Sequence, residues 1–108
     1  MARPVAITDA TFKAEVYESE KPVLVNFWAA WSDPARDLAP VLQEVATEME
    51  QQIKVARVDV DSNPTSTASF GVRGIPTLIL FKNGKPATRL VGFRTKDELV
   101  QRLAPHLI

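Results

Sequence analysis

FWAAWSDPARDLAP, residues 27–40, runs from an apolar segment through small residues to a tryptophan and then into a helical pattern. A strand that turns straight into a helix usually presents reactive atoms, because the first helical N–H groups are unpaired and electropositive there. What this junction can do rests on the tetrapeptide Ser32-Asp33-Pro34-Ala35. Downstream of it, Leu38, Val41, Leu42, Val45 and Met49 recur at helical spacing, with Pro34 suited to the first turn. Pro40 falls inside that pattern and is expected to kink the helix, since its ring removes a backbone donor and crowds the preceding turn.

Upstream, PVLVNFW at 22–28 is apolar on both alternating faces, as is PTLILF at 76–81. Both read as central strands of a sheet covered on two sides. IKVARVDV at 53–60 is a third strand, less enclosed because of Lys54 and Arg57. With the helix lying between 22–28 and 53–60, those two strands form a βαβ crossover. FKNGK at 81–85 signals a type I′ hairpin into ATRLVGF, since Asn83 and Gly84 tolerate positive φ. Thr95 and Glu98 form a capping box ahead of Leu99, Val100, Leu103 and Leu107, with Pro105 disturbing the last turn. At the front, ITDATFKAEVYES predicts a short helix capped by Thr8 or Asp9, with Phe12 and Val16 on one face. The expected order is β-α-β-α-β, a turn-rich segment, then β-β-α, within a single domain spanning 1–108.

A chain of 108 residues, 45% hydrophobic, supports one core and is too short for two ordinary domains. Lys plus Arg balances Asp plus Glu at 13 each, and no stretch interleaves basic and aromatic residues, which argues against nucleic acid as a partner. No apolar run approaches membrane-spanning length, so the chain reads as soluble and no membrane partner is expected. Cysteine is absent, which removes disulfides, thiolate nucleophiles and zinc-thiolate or iron-sulfur sites. The one histidine, His106, lies near the C-terminus without a second histidine for a metal site and reads as a surface residue. No metal and no cofactor is expected. DVDSNPT at 59–65 imitates the start of a calcium loop through Asp59, Asp61 and Asn63, but Pro64 stands where glycine is needed and Phe70 where glutamate is needed, so calcium binding is rejected.

Taken together, VLVNFWAAW followed by a helix with an internal proline, VDVDSNP, FGVRGIPTLILFKNG and LVGF match the landmarks of the thioredoxin family in order and spacing, over nearly the whole chain. The resemblance implies an α/β thioredoxin fold: three layers, α/β/α, with a central mixed five-stranded sheet and four helices. It also implies a cytoplasmic monomer descended from a protein-disulfide reductase. Active members carry Cys-Gly-Pro-Cys after the tryptophan. This chain has Ser32-Asp33-Pro34-Ala35, keeping the proline and neither sulfur. Reduction of a disulfide needs attack by one thiolate and release through a second thiol. A serine hydroxyl does not exchange with disulfides, and Ala35 has nothing to resolve an intermediate, so no catalytic residue is assigned. Ser32 as a hydrolytic nucleophile lacks a positioned base and reads instead as a helix cap or small polar filler.

Relatives usually bury an aspartate where this chain has Asn26, which cannot titrate but can still hydrogen-bond within the core without the cost of burying a carboxylate, so the change reads as stabilising once catalysis is gone. Asp33 replaces the usual glycine and suits the positive end of the helix. By resemblance, the Ile75–Pro76 bond is cis and leaves the Ile75 backbone free to pair with an extended peptide. Trp31, Gly74, Ile75, Pro76, Gly92 and Phe93 would then form a shallow docking surface for extended segments of other proteins. Gly74, Pro76 and Gly92 also serve the backbone shape of the fold itself, so groove and scaffold draw on the same residues. Two functions follow: a redox-inactive binding or scaffold module, or an engineered cysteine-free form of a thiol-disulfide oxidoreductase made for structural or stability work.

Overall fold

The computed structural model describes residues 2–108. Five strands form one mixed sheet: β1 (Val5–Ala6), β2 (Val23–Trp28), β3 (Lys54–Asp59), β4 (Thr77–Lys82) and β5 (Lys85–Val91), in the order β1-β3-β2-β4-β5. β1, β3 and β2 run parallel, while β4 is antiparallel to β2 and β5 to β4. Three α-helices accompany them, α1 (Asp33–Glu48), α2 (Pro64–Ser69) and α3 (Lys96–Leu103), with a short π-helical turn over Lys13–Tyr17 as the fourth helical segment. This is the three-layer α/β/α arrangement the resemblance implies. α1 passes through Pro40 and continues to Glu48.

Side chains alternate across β2 and β4 and so build two cores. Leu24, Leu78 and Leu80 meet Leu38, Leu42 and Val45 of α1 and Leu99 and Leu103 of α3 on one face. Val23, Val25, Phe27, Ile79 and Phe81 meet Phe12, Val16 and Phe70 on the other. Residues 23–27 and 77–81 are buried throughout, which is why the sequence shows unbroken apolar runs there. Arg57 is exposed and Lys54 half-buried on β3, matching its less enclosed reading. The hairpin turn carries positive φ at Asn83 (53°) and Gly84 (78°), as type I′ requires. Pro86 sits on the edge strand β5 beside a register shift at Leu80/Phe81, where no ladder hydrogen bond is lost to the interior.

Thr95 and Glu98 make both hydrogen bonds of the capping box at the head of α3. Beyond Leu103 the chain tightens into a 3₁₀ turn, Ala104–His106, around Pro105. The front segment differs from its sequence reading. Neither Thr8 nor Asp9 caps the first helical segment, which has Phe12 at its N-cap position and no side-chain cap. The Thr8 N–H is instead taken by the Thr11 hydroxyl at 2.9 Å, forming a local turn. Asp9 caps a different helix: its carboxylate accepts from the backbone N–H groups of Thr65 (3.1 Å) and Ser66 (2.8 Å) and from the Ser66 hydroxyl (2.6 Å) at the start of α2. In return, Asn63 Oδ1 accepts from the Asp9 N–H at 2.9 Å. The Ser66 hydroxyl, with the two N–H groups, holds the Asp9 carboxyl below its ordinary range.

Candidate functional site

The C-terminal end of β2 hands over to α1 at Trp31-Ser32. Ser32 has extended backbone (φ −99°, ψ 112°) and its Oγ accepts from the Ala35 N–H at 3.3 Å, so it is the N-cap of α1. The same hydroxyl donates to the Ile75 carbonyl at 3.2 Å. Both capacities of this buried group are therefore engaged within the protein. Ala35 is buried one turn along, while Asp33 and Pro34 face solvent. Asp33 occupies the first turn, where the helix dipole favours a carboxylate, and pairs with Arg36 at 3.4 Å in the open.

The Ile75–Pro76 peptide is cis. Pro76 is buried and Ile75 half-buried, and the Thr77 hydroxyl donates back to the Gly74 carbonyl. Gly92, at φ 93°, donates its N–H to the Pro76 carbonyl at 2.8 Å. That φ favours glycine, and at Gly74 an added methyl would lie 2.7 Å from Val91 Cγ1. The two hydrogen bonds, Ser32 to Ile75 and Gly92 to Pro76, thus stitch three separate segments into one surface. On it stand Trp31, 66% exposed, and Phe93, 42% exposed. The resemblance left the Ile75 backbone free; here its carbonyl already accepts one hydrogen bond, leaving one lone pair for any partner strand.

Two features of this region escape the sequence. Trp31 Nε1 donates to Asp61 Oδ2 at 3.1 Å, which fixes the edge of the ring while leaving its face open. Asp61 belongs to the segment that imitates a calcium loop, and its neighbours are equally committed: Asp59 Oδ1 accepts from the Asp61 N–H, and Asn63 Nδ2 donates to the Asp59 carbonyl. The second feature is Asn26. It is buried, 4% exposed, but its Oδ1 has no hydrogen-bond partner among the described residues. The hydrogen bond open to it within the core is not made at Oδ1: Leu78, its partner on β4, has no donor, and Arg57, its partner on β3, lays its guanidinium over the Trp28 ring instead. His106 lies half-buried at the C-terminal turn, apart from this surface. Among the described residues no group of three or more acidic or histidine side chains is placed to hold a metal.

The thioredoxin family model matches residues 3–105. The chain belongs to the thioredoxin family. Thioredoxin of Mycobacterium tuberculosis is 49% identical over 100 residues, covering 93% of this chain and 86% of the relative. Thioredoxin 1 of Synechococcus elongatus is 47% identical over 107 residues, covering 99% and 100%. Thioredoxin of Alicyclobacillus acidocaldarius is 47% identical over 100 residues, covering 93% and 94%. Within the thioredoxin fold this chain carries no cysteine, so the junction that its sequence raised as a question holds a capping serine and an alanine methyl. Among the described residues no helix is long and apolar enough to cross a membrane.

Proposed function

We propose that this protein is a thioredoxin-family member that has left thiol–disulfide exchange and binds extended peptide segments on the surface carrying Trp31 and Phe93. The single observation behind this reading is the pair of hydrogen bonds that unite that surface, Ser32 Oγ to the Ile75 carbonyl and Gly92 N–H to the Pro76 carbonyl. A fold that kept only its core has no need to hold an exposed tryptophan by Asp61. Exposed aromatics with restrained rings are strong anchors, because little side-chain freedom is lost on contact. Exchange itself has no route: the hydroxyl of Ser32 is consumed by Ala35 and Ile75, and no second group replaces the resolving thiol.

The test has two arms. In an insulin-reduction assay the chain should give no turnover above a protein-free control, and turnover would end the claim about exchange. In a peptide-array screen followed by calorimetry, peptides that bind should lose about tenfold or more in affinity on Trp31→Ala or Phe93→Ala, as for central aromatic anchors. An array yielding no binder sensitive to either change would leave the surface as scaffold and overturn the binding claim.

A further inference from the structure

On the aliphatic face of the sheet, beneath the first two turns of α1, the core does not close. A cavity of about 400 Å³ remains between Asn26 and Trp28 of β2, Arg57 of β3 and the small side chains of Ala35 and Ala39 on α1. Neither Trp31 nor Phe93 lines it. Its outer wall is the N-terminal segment with Arg3, held in place because the Ala2 carbonyl accepts from Gln43 Nε2 and Thr47 Oγ1 of α1, both at 3.2 Å.

Three observations meet in this cavity. The first is charge: Arg3, Arg36 and Arg57 converge on it from three different segments, in a chain whose 13 basic residues are balanced by 13 acidic ones. Arg36 shares an exposed pair with Asp33, while Arg3 and Arg57 have no carboxylate partner among the described residues. Guanidinium forks recognise planar anions better than any other side chain. The second is the aromatic ring of Trp28, which lines the cavity with the Arg57 guanidinium 5.6 Å from its centre, so that cation and ring stand side by side at its wall. The third is the amide of Asn26, more than nine-tenths buried, lining the cavity with its Oδ1 unpaired. Buried polar groups without partners are uncommon in native proteins, and leaving one unmade is destabilising.

We propose that this cavity is a binding site for a small organic acid whose carboxylate meets Arg3 and Arg57, whose flat apolar body lies against Trp28 and the alanine wall, and whose far end carries a hydroxyl for the Asn26 amide. A hydroxyl both donates and accepts, so it satisfies that amide in either orientation of its oxygen and nitrogen. A molecule with only the anion would leave the amide unpaired. One with only the hydroxyl would leave the arginines to water.

The experiment uses the intact chain and three acids in which the distance from carboxylate to hydroxyl increases: para-hydroxybenzoate, para-hydroxyphenylacetate and para-hydroxyphenylpropionate. Backbone amide NMR titration should show saturable shifts for at least one of them, at Asn26, Trp28, Arg57 and the start of α1, with Kd below about 1 mM. Benzoate and phenol, each lacking one end, should bind about tenfold more weakly or worse. Arg57→Gln, an exposed substitution that leaves the core intact, should weaken the acid by about tenfold. Asn26→Ala, which removes the amide without filling the cavity, should bring the hydroxylated acid down to the affinity of its unhydroxylated analogue while keeping the native spectrum. Three acids that fail to saturate by about 10 mM overturn the proposal. So does binding that is indifferent to Arg57→Gln and Arg3→Gln, or shifts confined to Trp31 and Phe93.

Discussion

On one face of the sheet, Phe12, Phe70 and Phe81 pack ring to ring, with centroids 5.0–5.8 Å apart, and Phe27 leans on Phe70 at 6.3 Å. On the other, leucines and valines pack against α1 and α3, and a cavity rimmed by arginines begins at Asn26. Both faces come from alternate residues of the same two strands, β2 and β4. The difference between them is between a face finished for stability and a face left open beside the family's ancestral chemistry. Asn26 and Ala35 line that opening from opposite elements.

The comparison breaks first at Phe81. Truncation to alanine removes a fully buried ring that touches Phe12 and Phe70, and the dense surroundings cannot collapse into the space. We expect Phe81→Ala to cost about 3–5 kcal/mol by chemical denaturation, with Leu42→Ala nearer the lower end of the ~2–5 kcal/mol range because Leu42 already borders empty volume. Equal losses at the two positions would mean that the faces are packed alike.

Asn26 gives the converse effect. Replacing it by leucine removes an unpaired buried amide and fills part of the adjoining space with a side chain like those of Leu24 and Leu78. We expect Asn26→Leu to raise stability by about 1–3 kcal/mol, the size of the penalty for an unsatisfied buried polar group. A loss measured in the same denaturation experiment would show that the amide is partnered in solution and that this face is better finished than its geometry indicates.

These two faces also mark what could be read in the sequence. Strand positions, the I′ turn at Asn83-Gly84 and the Thr95–Glu98 capping box are signals that neighbouring residues complete, and each stands where its spacing put it. The order and spacing of several such signals carried the family as well. Ser32 as a cap was legible for the same reason, since its partner Ala35 is three residues away. What failed was non-local. Asp9 resembles a local cap because an acidic residue before an apolar pattern usually is one, but its partners lie 56 and 57 residues further on. The arginine-rimmed cavity draws on Arg3, Arg36 and Arg57 from three segments, and no spacing rule joins residues so far apart. Asn26 was located correctly on a buried strand, and only the unpaired state of its Oδ1 was invisible.

The smallest expected effect is electrostatic and assigns one carboxylate to each face. Asp9 anchors α2 on the aromatic side; Glu98, accepting from the Thr95 N–H at 3.0 Å, anchors α3 on the aliphatic side. Both carboxyls are held below their ordinary values of 3.8 and 4.5, Asp9 chiefly by the Ser66 hydroxyl and Glu98 by the Thr95 backbone. A lowered native pKa means that the unfolded chain binds more protons in this range, so stability rises with pH there. The contribution of each group is complete above its ordinary value and disappears as pH falls through the native one. Asp9→Asn keeps an acceptor at the head of α2 but cannot titrate, so its Tm should fall less steeply than that of the parent as pH drops below the ordinary aspartate value. Glu98→Gln should flatten the profile at the glutamate value in the same way. If Asp9→Asn leaves the acid limb unchanged while Glu98→Gln flattens it, the long-range cap is not formed in solution, and only the local one contributes.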